Sequence, residues 1–243
     1  MDESVVREYS RTLRIPIYEV GAERTLKLGS VLRLAQETSE QHLDLLRVGY
    51  ERLREDGLVF FIISSLVKVR RLPEHGEEIT IRTHPRGRGG VQFYRDFIFY
   101  SGGEQILSVM QTTVMADAAT HRVRRPQNLM RYGVFSDEPV PKEEQVERCE
   151  VPEDLPHAGE RRVSHSDLDL NGHMNNTVYG DIVTDFLPAG VLEKGFREVQ
   201  ITYYKECREG DVLEIRAGTA ASGVLLRGSC GGACSFTARV VPR

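Results

Sequence analysis

The chain has 243 residues, 40% hydrophobic and 28% charged, enough for one large core or two small ones and ordinary for a globular protein. A formal net charge of −4 and a pI near 6.0 exclude a global attraction to nucleic acid or to an anionic membrane surface. No apolar stretch reaches the roughly 18–20 residues of a spanning helix, so membrane insertion is not expected.

The opening MDESVVREYSRTLRI is acidic at its start and shows no signal-peptide core. Cys149, Cys207, Cys230 and Cys234 fit no zinc-ligand spacing, and their scatter reads as reduced thiols. A soluble, cytoplasmic protein with no metal and no cofactor is therefore expected.

Residues 11–20 mix β-branched residues with one proline, as an edge strand does. A loop over 21–29 leads to Ser30 as N-cap of a helix running to about Leu46. Leu32, Ala35, Ser39, Leu43 and Leu46 fall on one stripe of it, with Gln36, Glu37, Glu40 and Gln41 on the other face. YERLREDG adds a short turn. Strand-like runs follow at 58–70, 78–85, 91–100 and 105–116, separated by the turn chemistry of RLPEHG, RGRGG and SGG. A helix followed by an antiparallel meander is an α+β pattern. Residues 126–155, rich in proline and acidic residues, read as a short helix and a linker.

The second half repeats the plan: a strand at 161–164, a polar loop at 165–174, a helix at 176–188, and strands at 197–205, 212–219, 224–228 and 235–241. Matching Ile17 to Val163 and Ser30 to Asn176 aligns the halves. The expected division is a first lobe at 1–140, a linker at 141–158 and a second lobe at 159–243.

The loop HSDLDLNGHMNNTVY, 165–179, concentrates the chemistry. Asp167, Asp169, Asn171, His173, Asn175 and Asn176 crowd a stretch with no apolar run, and Asn175 or Asn176 sits where a helix N-cap belongs. A carboxylate, an amide and an imidazole thus precede a helix N-terminus, whose free N–H groups suit developing negative charge and hence hydrolytic chemistry. The D-x-D-x-N-G run also matches the opening of a calcium loop. Its twelfth position is Val178 rather than a bidentate glutamate, and a strand rather than a helix precedes it, so calcium is not expected.

A helix wrapped by an antiparallel sheet, occurring twice, is the double hotdog arrangement. The sequence resembles the acyl-[acyl carrier protein] thioesterases of bacteria and plastids. The resemblance lies in YEVGAERT (18–25), QETSEQH (36–42), YRDF (94–97), THRVRRP (120–126), DLDLNGHMNNTVY (167–179) and YYKEC (203–207), in the family's order. The family's tryptophans are absent, with Ile182 where the site helix usually carries Trp and Asp185 where it carries Glu. Those changes touch the acyl pocket rather than the reaction class.

The resemblance implies hydrolysis of an acyl-carrier thioester in fatty acid biosynthesis, with Asp169, Asn171, His173 and Glu206 as the polar constellation and Cys207 beside it. Glu206 is read as the base that activates water. Asn171 and His173 position that water or donate to the thioester oxygen, and Asp169 orients them or fixes the loop. Backbone N–H groups around Asn175 and Asn176 complete the oxyanion site. A cysteine nucleophile at Cys207 is the rival mechanism. A regular strand through 197–207 would let only one of Glu206 and Cys207 face the loop, unless a bulge intervenes.

The first lobe has no D-x-N-x-H, so one site per chain is expected, with the 30–46 helix and the 58–67 strand walling the acyl chain. Tyr179 is read as core. The implied partner is an acyl carrier protein, an acidic molecule that calls for a local basic patch. Arg122, Arg124 and Arg125 beside His121 offer one, and Arg86 with Arg88 another. A homodimer is left open. The alternatives are a hotdog thioesterase for acyl-coenzyme A and a non-catalytic acyl-binding module.

Overall fold

A computed structural model describes residues 8–133, 136 and 138–243. The first half starts with strand β1 (Tyr9–Arg14) and a 3-10 turn at Ile17–Glu19, then helices α1 (Leu28–Leu45) and α2 (Tyr50–Glu55). Its meander is β2 (Leu58–Val69), β3 (Glu78–Gly89), β4 (Gln92–Ser101) and β5 (Glu104–Asp117). After the single turn α3 (Gln127–Met130), the second half opens with β6 (His157–Arg162), a 3-10 turn at His165–Asp167, α4 (Val178–Asp185) and α5 (Ala189–Lys194). It closes with β7 (Phe196–Tyr203), β8 (Val212–Ala220), β9 (Gly223–Cys230) and β10 (Ala233–Pro242).

The ten strands form one sheet in the order β1-β3-β4-β5-β2-β7-β10-β9-β8-β6. Read outward from the β2–β7 seam, the order is the same on both sides, so the halves are related by a pseudo-two-fold axis through the paired residues Leu66 and Gln200. This is the expected α+β double hotdog. Both long helices share one apolar core with strands of both halves. Val31, Leu32 and Ala35 of α1 join Tyr179, Ile182 and Val183 of α4 in it. The helices touch at bare backbone: a Cβ on Gly180 would lie 2.9 Å from the Gly29 Cα. No helix among the described residues is long and apolar enough to cross a membrane.

Several boundaries differ from the sequence reading. α1 begins at Leu28, and Ser30, instead of capping it, donates from Oγ to the Glu19 carbonyl at 3.2 Å. α4 begins at Val178, after a turn over Asn176 and Thr177, and Pro188 starts a separate helix. β7 stops at Tyr203, so Glu206 and Cys207 follow the strand rather than belonging to its pleat. β6 begins at His157, inside the stretch read as linker. The preceding residues cross the seam on the face away from the helices. There the Cys149 N–H donates to Thr202 Oγ1 at 3.1 Å, and Thr237 Oγ1 donates to the Cys149 carbonyl at 2.7 Å.

Candidate active site

The polar loop has a twin in the first half, and the hydrogen bonds fix the correspondence. The Ile15 N–H donates to the Glu77 carbonyl as the Val163 N–H donates to that of Asp211. Val20 bridges Leu26 as Leu168 bridges Met174. Gly21 N–H reaches the Thr25 carbonyl at 2.9 Å, and Asp169 N–H reaches that of His173 at 2.8 Å. Ile15, not Ile17, is therefore the counterpart of Val163. On this alignment Asp169, Asn171, Gly172 and His173 stand where the first half has Gly21, Glu23, Arg24 and Thr25. The shared turn needs a left-handed residue, Arg24 at φ 63° and Gly172 at φ 74°. The Leu26 N–H bonds the Pro73 carbonyl and the Met174 N–H that of Cys207, so Glu206 corresponds to Leu72. The scaffold is duplicated and the chemistry is not.

Within the loop, Asp169 Oδ1 accepts from the backbone N–H groups of Asn171 (2.8 Å) and His173 (3.2 Å). Its carboxylate thereby holds the curve that presents those two side chains. Asn171 Oδ1 accepts from the Tyr50 hydroxyl of α2 at 2.8 Å, with Arg54 Nη1 at 3.4 Å. That fixes the amide with its NH₂ turned away from Tyr50. Asp167 serves the loop's other flank, its two oxygens accepting from Arg161 Nη2 at 2.8 and 3.0 Å and Oδ2 also from the Ser164 N–H at 2.8 Å. Asn175 Oδ1 accepts the Thr177 N–H at 2.9 Å and so caps the turn into α4. The Asn176 N–H makes no hydrogen bond within the described residues.

His173 and Glu206 come together: Nε2 lies 3.2 Å from Oε2, the imidazole almost buried and the carboxylate about one-third exposed. Cys207 does not join them. It is fully buried in the main core, its Sγ 3.3 Å from Ser235 Oγ and 3.6 Å from the hydroxyl of Tyr179. Burial, followed by the neighbouring Cys207, pushes that Tyr179 hydroxyl far above the usual phenol range. Glu206 and Cys207 point to opposite sides even though no regular strand runs through them.

A third residue meets the pair from the first half. His121 Nδ1 lies 3.5 Å from the same Glu206 Oε2, its ring edge-on to His173 at 5.9 Å and to Phe61 at 5.2 Å. It sits at φ 55° in the turn after β5, with its N–H on the Asp117 carbonyl. The Asp117 side chain pairs with Arg124 and accepts from Thr120 N–H and Oγ1, each at 2.8 Å. These bonds, Arg124 first, hold the Asp117 carboxyl far below its ordinary range. Arg122 and Arg125 extend from the same turn, exposed, their guanidinium groups without a partner among the described residues. Arg86, by contrast, is neutralised by Asp96 and Glu144. The sequence reading placed His121 only in a basic patch and missed Tyr50 and Arg54. Nothing local marks those three, because each reaches the loop through tertiary contact.

Two cavities meet at the loop. A groove of about 410 Å³ is lined by His121, His173, Glu206, Tyr203 and Asn176. A second, of about 160 Å³, lies between α1 and strands β2, β4 and β5. Asp169, Asn171 and Asn176, with Phe60 and Ile62 of β2, border both. The arrangement joins a carboxylate–imidazole pair, an oriented amide and a free backbone N–H to a space walled by protein. Those are the parts required to attack and stabilise a carbonyl.

Comparison with known proteins places this geometry. Residues 6–130 match the acyl-ACP thioesterase N-terminal domain, and residues 153–227 match the C-terminal domain of the same family. An acyl-[acyl-carrier-protein] hydrolase of Cuphea viscosissima is 24% identical over 220 residues, 85% of this chain and 53% of that protein. The chain thus spans about half the length of the curated relatives first matched, 53% and 55%. Among solved structures, an acyl-ACP thioesterase from Bacteroides thetaiotaomicron shares the fold at TM-score 0.86 and 18% identity, covering 98% of each chain. A 12:0-ACP thioesterase from Umbellularia californica does so at 0.84 and 22%, covering 97% of each. With both halves matched in order and the motif loop at the mouth of the paired cavities, the chain belongs to the acyl-ACP thioesterase family.

Proposed function

We propose that the protein hydrolyses the thioester of an acyl-[acyl carrier protein], releasing a free fatty acid and the carrier thiol and so ending chain elongation. The carrying observation is the 3.2 Å approach of His173 Nε2 to Glu206 Oε2 in the groove that shares the border of Asp169, Asn171 and Asn176 with the α1 cavity. Glu206 takes a proton from water as the water oxygen attacks the thioester carbon. Such a base contributes about 10²–10⁴ in rate. The oxygen that becomes anionic receives the Asn171 NH₂ and the unpartnered Asn176 N–H, and one well-aimed donor of this kind is worth about 3–4 kcal/mol. Asp169 acts through the loop backbone. Collapse of the tetrahedral intermediate expels the thiolate, which the His173–Glu206 pair reprotonates. Cys207, facing the core, takes no part in this route.

In this reading the first lobe, 1–140, supplies the acyl pocket and the second, 159–243, the catalytic side chains. Arg122 and Arg125 receive the acidic carrier at the rim, on the turn that bears His121. Four free cysteines fit a reducing cytoplasm. Incubation with acyl-carrier thioesters and measurement of released fatty acid tests the activity; retention of intact thioester would favour the binding-module alternative. Arg122→Ala with Arg125→Ala is expected to raise KM for carrier-bound substrate while sparing an acyl-coenzyme A. Equal effects on both carriers would remove the patch from carrier recognition.

A further inference from the structure

The cavity between α1 and the sheet is not walled like a channel for plain hydrocarbon. α1 turns Gln36, Ser39, Glu40 and Leu43 into it, the spacing of a single helix face. Across from them, Arg95 of β4 pairs in register with Gln111 of β5, and Phe93 with Thr113. Leu43, Leu53, Leu58, Phe60 and Phe93 make an apolar end, while Gln36, Glu40, Arg95 and Gln111 make a polar side.

Arg95 is held, with Nη1 3.0 Å from His42 Nδ1 and 3.4 Å from Thr83 Oγ1, and burial lowers its pKa to about 10. The other three polar groups are not. Gln111 is 5% exposed, and its amide makes no hydrogen bond within the described residues. Gln36 Oε1 is buried without a partner. The Glu40 carboxylate has no hydrogen bond or ion pair among the described residues. Burial, then the nearby Asp44, raises its pKa against the pull of Arg95. A chain of methylenes filling this space would leave the buried Gln111 amide, the buried Gln36 Oε1 and the half-buried Glu40 carboxyl without partners. Such stranding costs more than the hydrogen bonds themselves contribute. A single oxygen on the chain can accept from the Gln111 NH₂, and a hydroxyl can also donate to Gln36 Oε1 or Glu40.

We propose that the acyl chain accepted here carries a hydrogen-bonding oxygen, a hydroxyl or oxo group, met by Gln111, Gln36 and Glu40 on the wall of the α1 cavity. Assignment of the bound group as a thioester rests on the function proposed above; the preference for an oxygenated chain does not. Gln111 lies one strand from β2 and Arg95 two, so the polar side starts about 5–10 Å from the strand that borders the catalytic groove. A reaction that leaves oxygen on the growing or finished chain would supply this substrate.

The test uses decanoyl and hydroxydecanoyl groups, the hydroxyl walked along the chain, attached to the carrier through an amide in place of the thioester. At the favoured position the hydroxylated chain is expected to bind at least about tenfold tighter than the plain one. Gln111→Leu and Gln36→Leu should each shrink that ratio, chiefly by tightening the plain chain. Plain decanoyl binding as well as every hydroxylated isomer overturns the proposal, as does a ratio untouched by both substitutions. The corresponding true thioesters are assayed alongside. If none is cleaved while the amide series keeps its ratio, the hydrolase reading fails and the cavity assignment stands.

Discussion

Replacing Cys207 by alanine separates the two mechanisms open to this site. Cys207 is fully buried, and its sulfur touches Ser235 Oγ and the Tyr179 hydroxyl. Deleting that sulfur removes roughly one methylene's worth of burial, about 0.8 kcal/mol. The small void and two weakened contacts bring the expected loss of stability to about 1–2 kcal/mol. His173 and Glu206 gain or lose no contact with it, so kcat should stay within about twofold of the parent, under 0.5 kcal/mol of barrier. Glu206→Gln keeps the side-chain volume, removes the base and should cost about 10²–10⁴ in kcat. Released fatty acid is the proper readout, because the half-buried Cys230 and Cys234 would react with a thiol reagent. A Cys207→Ala protein that unfolds near the parent temperature yet loses more than a hundredfold in kcat would refute the water mechanism and make the sulfur the nucleophile.

Other expectations follow from single contacts. His121→Gln removes one polar neighbour of Glu206 Oε2 and should lower kcat about fivefold, the worth of about 1 kcal/mol, with KM unchanged. A larger rise in KM than fall in kcat would move His121 to substrate binding. Gly180→Ala forces a Cβ to 2.9 Å from the Gly29 backbone and should destabilise by about 1–3 kcal/mol in denaturant unfolding. Unchanged stability would mean that the helices can part without cost. Glu77, bonded by Arg71 and Ser101, has its pKa lowered from 4.5 to about 2. Its contribution is therefore complete above pH 4.5 and lost as pH falls towards 2. Glu77→Gln should lower stability at neutral pH and flatten the acid loss across that window, and an acid profile identical to the parent's would contradict the assignment.

The helical stripe of α1, the meander and the D-x-N-x-H loop were legible because each is a local pattern of period or composition. The offset between the halves was not. Ile17 and Val163 look alike, but the backbone bonds to Glu77 and Asp211 pair Val163 with Ile15. Strand alternation separated Glu206 from Cys207 for the wrong reason, since β7 has ended by then. The polar face of α1 misled in another way. The sequence reading puts Gln36 and Glu40 on the face away from the core stripe, where the pattern rule predicts solvent, yet they flank Ser39 and Leu43 and border the same cavity. Tyr50, Arg54 and His121 reach the site from elements far along the chain, and no spacing rule registers a contact of that kind.

The β2–β7 seam carries a consequence of its own. Because a single polypeptide supplies both sides of the pseudo-dyad, dilution cannot separate them, and neither half is bound to copy the other's substitutions. One bend could keep Gly21 and Thr25 while its twin acquired Asp169 and His173, and the helix opposite the catalytic bend was free to line a chamber. Covalent tethering thus permits a division of labour that two identical subunits, altered together by every mutation, cannot reach.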